Sequence, residues 1–472
     1  MKIICVLIAA LMCLSSTVVL ADASQATGTA ADTELDATWK LVQEAYIYSF
    51  PLVLMSATEA KMTNVEEPDA LQGPVNTINH AMQLANADSR NVVTPNVDTI
   101  YSQIWLDLSD DAVVFHKPAV DRFCSVQVLD AYTNAVAMLG TGGDTDAECT
   151  YIFTGPDFTG DIPDGMVEVE LPTNLGWVLV RTLCSGQADM DNVRAIQQQM
   201  WAMTLESYNT GAAQPVGEYD PEEDYEPLKY VLSLTPSEYF SRANELMVDN
   251  PPAEADAPLM ERICEIGVGP GLEFDAAVLG GDAAQQWTDM LGTLRQKLVT
   301  ESSRFVVSNG VWQCYGEPVA EFGTEYAYRA LIALGGLGAN PVNIAIYPKA
   351  TTDNSGERLT GARCYVLHFE ADELPPVATQ GFWSLTAYNS ADDMLIDNPI
   401  DRYCINDRSE VEYNADGSLD IYIQCSAPDA DKQSNWLPVC EGEFHLYLRM
   451  YLPDSDVLGG EWVAPQIVAV DN

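Results

Sequence analysis

The chain has 472 residues, 47% hydrophobic and 9% aromatic, enough to pack more than one core and too apolar for disorder. Seventy acidic residues face 22 basic ones, a formal charge of −48. Such a surface repels phosphate backbones and anionic lipid headgroups, which argues against nucleic-acid binding and membrane-surface docking.

Residues 1–21 read as a secretory signal: Lys2 supplies the basic start, Ile3 to Leu14 the apolar stretch, and Val19-Leu20-Ala21 the cleavage pattern. The mature chain is therefore expected to be exported, periplasmic or secreted. No membrane insertion is expected after signal removal, because no later run reaches the roughly 18 apolar residues a spanning helix needs. Beyond residue 21 lie Cys124, Cys149, Cys184, Cys264, Cys314, Cys364, Cys404, Cys425 and Cys440, with no C-x-x-C pair to suggest a zinc ribbon or thioredoxin-like site. In an oxidising compartment some should pair. Cys364 and Cys425 fall inside apolar strand patterns that suit buried free thiols.

Residues 22–35 are small and polar and are expected to be disordered. A helical pattern starts at Asp36, the candidate N-cap, with Trp39, Val42 and Tyr46 on one face; Pro51 is expected to kink or end it. From Val92 to Arg181 short β-forming runs alternate with Gly, Pro and Asp turns, as in a β-sandwich or jelly roll. Helical spacing returns at Val193, Ile196, Met200 and Met203, at Trp287, Leu291, Leu294 and Leu298, and over Glu325 to Leu334. After Asn340-Pro341 the chain is again β-rich. Cys364, Val366 and His368 share one strand face, and Leu419, Ile421, Ile423 and Cys425 share another, after an Asp416-Gly417 hairpin signal. Phe444, Leu446, Leu448 and Met450 oppose His445, Tyr447, Arg449 and Tyr451. The expected fold is multidomain α+β: two β-sandwich or jelly-roll-like domains, 36–185 and 339–465, with a helical segment, 186–338, between them.

Nucleophile-elbow, zinc-protease, P-loop and dinucleotide motifs are absent. Four scattered histidines do not suit a three-His metal site. Asp144, Asp146 and Glu148, and Asn414, Asp416, Ser418 and Asp420, have calcium-like spacing, but an acidic loop and a tight hairpin are the better account of them. No metal or cofactor is assigned. Directional polar groups are densest in Val92–Tyr101, where Pro95 should hold Thr94 extended. Asn96, Asp98, Thr99 and Tyr101, with Asn76, Asn79 and His80 upstream, form either a polar-ligand pocket or a well-capped loop. Asp130, Tyr132 and Asn134 form either a second wall or a turn.

These segments also carry a resemblance. The strings A-Y-I-Y-S-F-P-L (Ala45–Leu52), P-V-N-T-I-N-H (Pro74–His80), T-P-N-V-D-T-I-Y (Thr94–Tyr101) and V-Q-V-L-D-A-Y-T-N (Val126–Asn134) resemble the family of domains of unknown function 1254. L-G-A-N-P (Leu337–Pro341), F-W-S-L-T-A-Y (Phe382–Tyr388), N-P-I-D-R-Y (Asn398–Tyr403), A-D-G-S-L-D (Ala415–Asp420), N-W-L-P (Asn435–Pro438) and L-R-M-Y-L-P (Leu448–Pro453) resemble its companion, 1214. The resemblance implies an exported or envelope protein with jelly-roll-like domains and helical additions. It implies no activity, cofactor or catalytic residue.

Two readings of function follow. One is an exported enzyme, such as a hydrolase, acting on a small polar or anionic substrate near the Thr94–Tyr101 loop. There Asp98 would be general base or would orient His80. Asn76, Asn96, Thr99, Tyr101, Asp130 and Asn134 would hold the substrate, and Arg402 or Arg449 would clamp an anionic group. The other is a non-catalytic binder of a small molecule or glycan, or a homo-oligomeric envelope protein, with Trp383, Trp436, Tyr447 and Tyr451 available for stacking.

Overall fold

The computed structural model describes residues 30–69, 72–90, 93–214 and 216–470; the signal-like residues 1–21 lie outside them. The fold is multidomain α+β, two β-sandwiches joined by helices.

Helix α1 (Ala30–Thr63) leads into the first sandwich. Its strands are β1 (Asn79–His80), β2 (Thr99–Asp107), β3 (Val113–Lys117), β4 (Cys124–Asp130), β5 (Ala135–Gly140), β6 (Cys149–Thr154), β7 (Val167–Glu170), β8 (Leu175–Leu183) and β9 (Trp201–Thr204). A sheet of order β1-β2-β8-β4-β5 packs on one of order β7-β6-β3-β9. Val126, Val128, Val178 and Val180 meet Phe115, Tyr151 and Phe153 between the sheets. The opposite face of the five-stranded sheet is also covered: Trp105, Leu129, Trp177 and Leu179 pack against helices. Double coverage is why every β4 residue is buried despite the polar Ser125, Gln127 and Asp130. Trp105 and Trp177 are cross-strand partners whose rings stack at 4.5 Å, a contact worth about 1 kcal/mol beyond its buried area.

The helical layer comprises α2 (Met190–Gln197), α3 (Leu205–Thr210), α4 (Pro227–Ser233), α5 (Pro236–Asp249), α6 (Ala257–Ile263), α7 (Ala283–Ser302) and α8 (Tyr326–Gly336). Helix α1 is its spine, packed against α4, α5, α6 and α8. Three expectations change here. Asp36 lies inside α1 rather than capping it, residues 30–35 are helical, and the helix continues through Pro51. Burial of Tyr46, Tyr48, Phe50, Leu52, Val53 and Leu54 outweighs the one hydrogen bond a proline removes. Met200 and Met203 leave the helical register as well, since α2 ends at Gln197 and Met203 pairs with Val114 in the sheet.

The second sandwich is built from β10 (Val306–Asn309), β11 (Trp312–Tyr315), β12 (Ala345–Ile346), β13 (Lys349–Ala350), β14 (Cys364–Phe369), β15 (Val377–Asn389), β16 (Cys404–Asn406), β17 (Leu419–Gln424), β18 (Trp436–Pro438), β19 (Phe444–Pro453) and β20 (Ile467–Val470). A sheet of order β10-β11-β13-β19-β15-β16, with β12 also on β19, faces one of order β18-β17-β14-β20. Between them lie Trp383, Leu385, Leu446, Leu448, Leu367, Ile421 and Ile423. Cys364, Val366 and His368 do share a face, but it is the outer one; Tyr365, Leu367 and Phe369 point into the core. The Asp416-Gly417 turn closes through Gly417 N–H to Asn414 O at 2.9 Å, yet a loop rather than a strand leads into it. All nine thiols among the described residues are free: Cys124 Sγ lies 3.5 Å from Thr182 Oγ1, and Cys184 Sγ 3.4 Å from Gly186 O, not against another cysteine.

Candidate functional site

Strand alternation gives the seven-stranded sheet a polar outer face. Register places Ser384 beside Arg449, Thr386 beside Tyr447 and Tyr388 beside His445. All six are buried, because the Thr94–Thr99 segment of the first sandwich is packed on them. Arg449 Nη2 donates to Thr94 O at 3.1 Å and to Tyr388 Oη at 2.8 Å, and Tyr388 donates to Pro95 O at 2.7 Å. Asp98 accepts from Ser384, from Asn406 Nδ2 at 3.3 Å and from Arg408 Nη2 at 2.9 Å. Thr94 is not extended as Pro95 suggested. Its φ is +46°, a strained value for a β-branched residue, and it is held there by its N–H bond to Asp393 O at 2.6 Å and by Arg449 on its carbonyl.

Beside this contact runs a chain of side chains drawn from both sandwiches. Asn96 Nδ2 donates to Tyr451 Oη at 2.7 Å, and the Tyr451 and Tyr347 rings meet edge to face at 6.2 Å. Tyr347 Oη accepts from Asn340 Nδ2 at 2.7 Å, and Asn340 Oδ1 accepts from Arg181 Nη1 at 3.0 Å. Arg181 in turn lies 5.4 Å above the Tyr101 ring. Arg181, Asn340 and Tyr451 are fully buried, whereas Asn96, Tyr101 and Tyr347 keep part of their surface accessible. The Tyr101 hydroxyl has no hydrogen-bond partner among the described residues.

The surroundings are cationic in an otherwise acidic molecule. Arg181, Arg449 and Lys349 are buried here, with Arg408 close by. Burial works against the Arg449 charge, but Tyr388, Tyr451 and Asp98 hold its pKa above the ordinary arginine value. His445 Nδ1 meets Ser390 Oγ at 3.1 Å, and its Nε2 lies 3.6 Å from Asp393 Oδ1. Burial, then Lys349 and Arg449, lower the His445 pKa to about 3, so it is neutral. Burial pushes the Asp393 carboxyl up, against the pull of Lys349 at 4.0 Å. The arrangement offers cationic and hydroxyl donors to a polar guest. No group of three or more His, Cys, Asp or Glu able to hold a metal occurs among the described residues.

Two family models match, both described as protein of unknown function: DUF1254 over residues 75–204 and DUF1214 over residues 344–455. The chain belongs to this two-part family. A solved structure, the VPA0106 protein from Vibrio parahaemolyticus, is similar with a TM-score of 0.69 and 22% identity, covering 93% of this chain and 100% of that one. That likeness is one of fold. A putative uncharacterized protein from Burkholderia cenocepacia covers 93% of this chain and 96% of its own, with 13% identity and a TM-score of 0.43. No curated protein matches.

These side chains straddle the two family parts: Asn96, Tyr101 and Arg181 lie in the DUF1254 region, Tyr347 and Tyr451 in DUF1214, and Asn340 just before it. Other residues singled out from the sequence sit elsewhere. His80 Nδ1 bonds Ser102 Oγ at 2.7 Å, so the structure does not join it to Asp98. Asn76, at φ +61°, clamps the Asp107 backbone with both side-chain atoms, and Thr99 Oγ1 is buried without a partner among the described residues. Asp130 accepts from Tyr132 N and from both nitrogens of Asn134, forming a turn. Arg402 Nη1 donates to the carbonyls of Gln433, Ser434 and Trp436, and buried Trp436 donates to Gln424 O. Trp383 belongs to the core and cannot stack on a ligand. Sequence reasoning missed Arg181, Asn340, Tyr347 and Tyr388. Asn340 and Tyr388 lay inside strings that carried the family resemblance; Arg181 and Tyr347 had only the scarcity of basic residues and an aromatic near a turn to mark them.

Proposed function

We propose that this protein binds a small anionic or hydroxyl-rich molecule at the seam between its two sandwiches, beside Tyr101. One observation carries the reading: the hydroxyl of the partly accessible Tyr101, without a hydrogen-bond partner among the described residues, stands beside Arg181 at the end of a chain of side chains that both sandwiches build. The cationic surroundings favour negative charge on the guest. Turnover of the guest has less support, because Asp98 and His80 are each committed to other partners. Export belongs to the same proposal, and N-terminal sequencing of the native protein for a start after Ala21 would test it.

The test of binding is calorimetric titration of the full chain with small carboxylates, phosphates and sugars, followed by Tyr101→Phe. Loss of one hydrogen bond predicts affinity roughly 3- to 10-fold lower, with the thermal midpoint of the free protein unchanged. Binding untouched by Tyr101→Phe, or no binding by any member of the panel, would refute the proposal.

A further inference from the structure

A cleft of about 630 Å³ opens in the helical layer, between α1, α6, α7 and the start of α8. Lys40, Arg262, Lys297 and Arg304 line it, together with Glu44, Glu301 and Glu325. Fewer than one in four of the chain's charged residues is basic, yet four of the seven lining this cleft are. The four cations come from separate stretches, α1, α6, α7 and the turn that follows α7, so folding rather than local sequence gathers them.

We propose that this cleft binds a small anion carrying two or more negative charges, a polycarboxylate or a phosphate compound. Three of the cations rest on neighbouring carboxylates: Arg262 on Glu44 at 2.8 Å, Lys297 on Glu301 at 3.2 Å, and Arg304 on Glu325. Every one of these six side chains is at least 35% exposed. Exposed pairs of this kind are worth little and exchange readily, so an incoming anion can displace the glutamates. Lys40 makes no ion pair among the described residues and stands one turn from Glu44 on α1. A single charge would engage one cation at a time; two or more span the cleft, which is the basis of the selectivity. The wall beneath is fixed, since Tyr326 Oη donates to Asp256 Oδ1 at 2.8 Å and Asp256 Oδ2 accepts from Tyr48 at 2.9 Å.

Calorimetric titration of the full chain with citrate and with inorganic pyrophosphate, against chloride at matched ionic strength, tests the proposal. The double variant Lys40→Gln, Lys297→Gln alters one exposed and one half-buried side chain. It is expected to weaken whichever probe binds by about tenfold or more while leaving the thermal midpoint in place. Citrate alone binding assigns the site to carboxylates, and pyrophosphate alone to phosphates. Absence of binding by either probe at about 1 mM, or equal binding by the double variant, overturns it. Tyr101→Phe separates this site from the one proposed at the inter-sandwich seam. If that substitution abolishes binding instead, the anion sits at the seam beside Tyr101 and the cleft assignment is wrong.

Discussion

Asp98 is completely buried, and its carboxylate is consumed by Ser384, Asn406 and Arg408. A carboxylate so placed joins the two sandwiches through a desolvated ion pair. Removing one partner of such a pair leaves the other charge stranded, at a cost of about 3–5 kcal/mol. Asp98→Ala should therefore lower the unfolding free energy measured by urea titration by that amount, and Asp98→Asn, which keeps part of the hydrogen bonding, by less. A variant that keeps wild-type stability but loses ligand affinity would instead place Asp98 in the binding site. Thr94 points the same way. Its left-handed backbone persists because Asp393 and Arg449 hold its two peptide groups, so the loop that looked most like a site is largely the seam between domains.

Elements show which parts of this design are visible before folding. The alternation of His445, Tyr447, Arg449 and Tyr451 against Leu446, Leu448 and Met450 follows from the two-residue period of a strand, and it holds in β19. That the polar face would be buried was not legible, because the covering loop comes from some 350 residues earlier in the chain. Helix α1 failed in the opposite sense: Pro51 is a local breaker, and only contacts with α4, α5, α6 and α8 override it. The same helix carries Glu59, whose pKa is raised to about 7 by burial first and then by Asp107 and Glu223, while Thr63 and Arg242 oppose the shift. Between its ordinary value and pH 7 the folded state thus holds a proton the unfolded chain has released. Stability contributed by Glu59 should fall as pH rises through that window. Urea midpoints measured from pH 5 to 8 should decline more steeply for the wild type than for Glu59→Gln. Parallel declines would mean that the carboxyl is ionised throughout.

At the scale of the molecule, charge sets the terms. A formal charge of −48 is distributed over a surface that has few cations to answer it, and several of those cations are withdrawn into the inter-sandwich seam. The exterior therefore repels itself, and the compact state bears more of that repulsion than the expanded one. Salt shortens the reach of these forces to about 10 Å at 0.1 M and further above it. Pairs buried between the sandwiches, such as Asp98 with Arg408, are screened far less. Added salt should thus relieve the destabilising part of the field and leave the stabilising part in place. The thermal midpoint is expected to rise between low salt and about 0.5 M sodium chloride, most steeply at the lower end where screening changes fastest. An equal osmolality of a neutral solute should produce no comparable early rise. A midpoint that is flat or falls with salt would show that exposed ion pairs, such as Arg262 with Glu44, contribute more to the fold than the repulsion takes away.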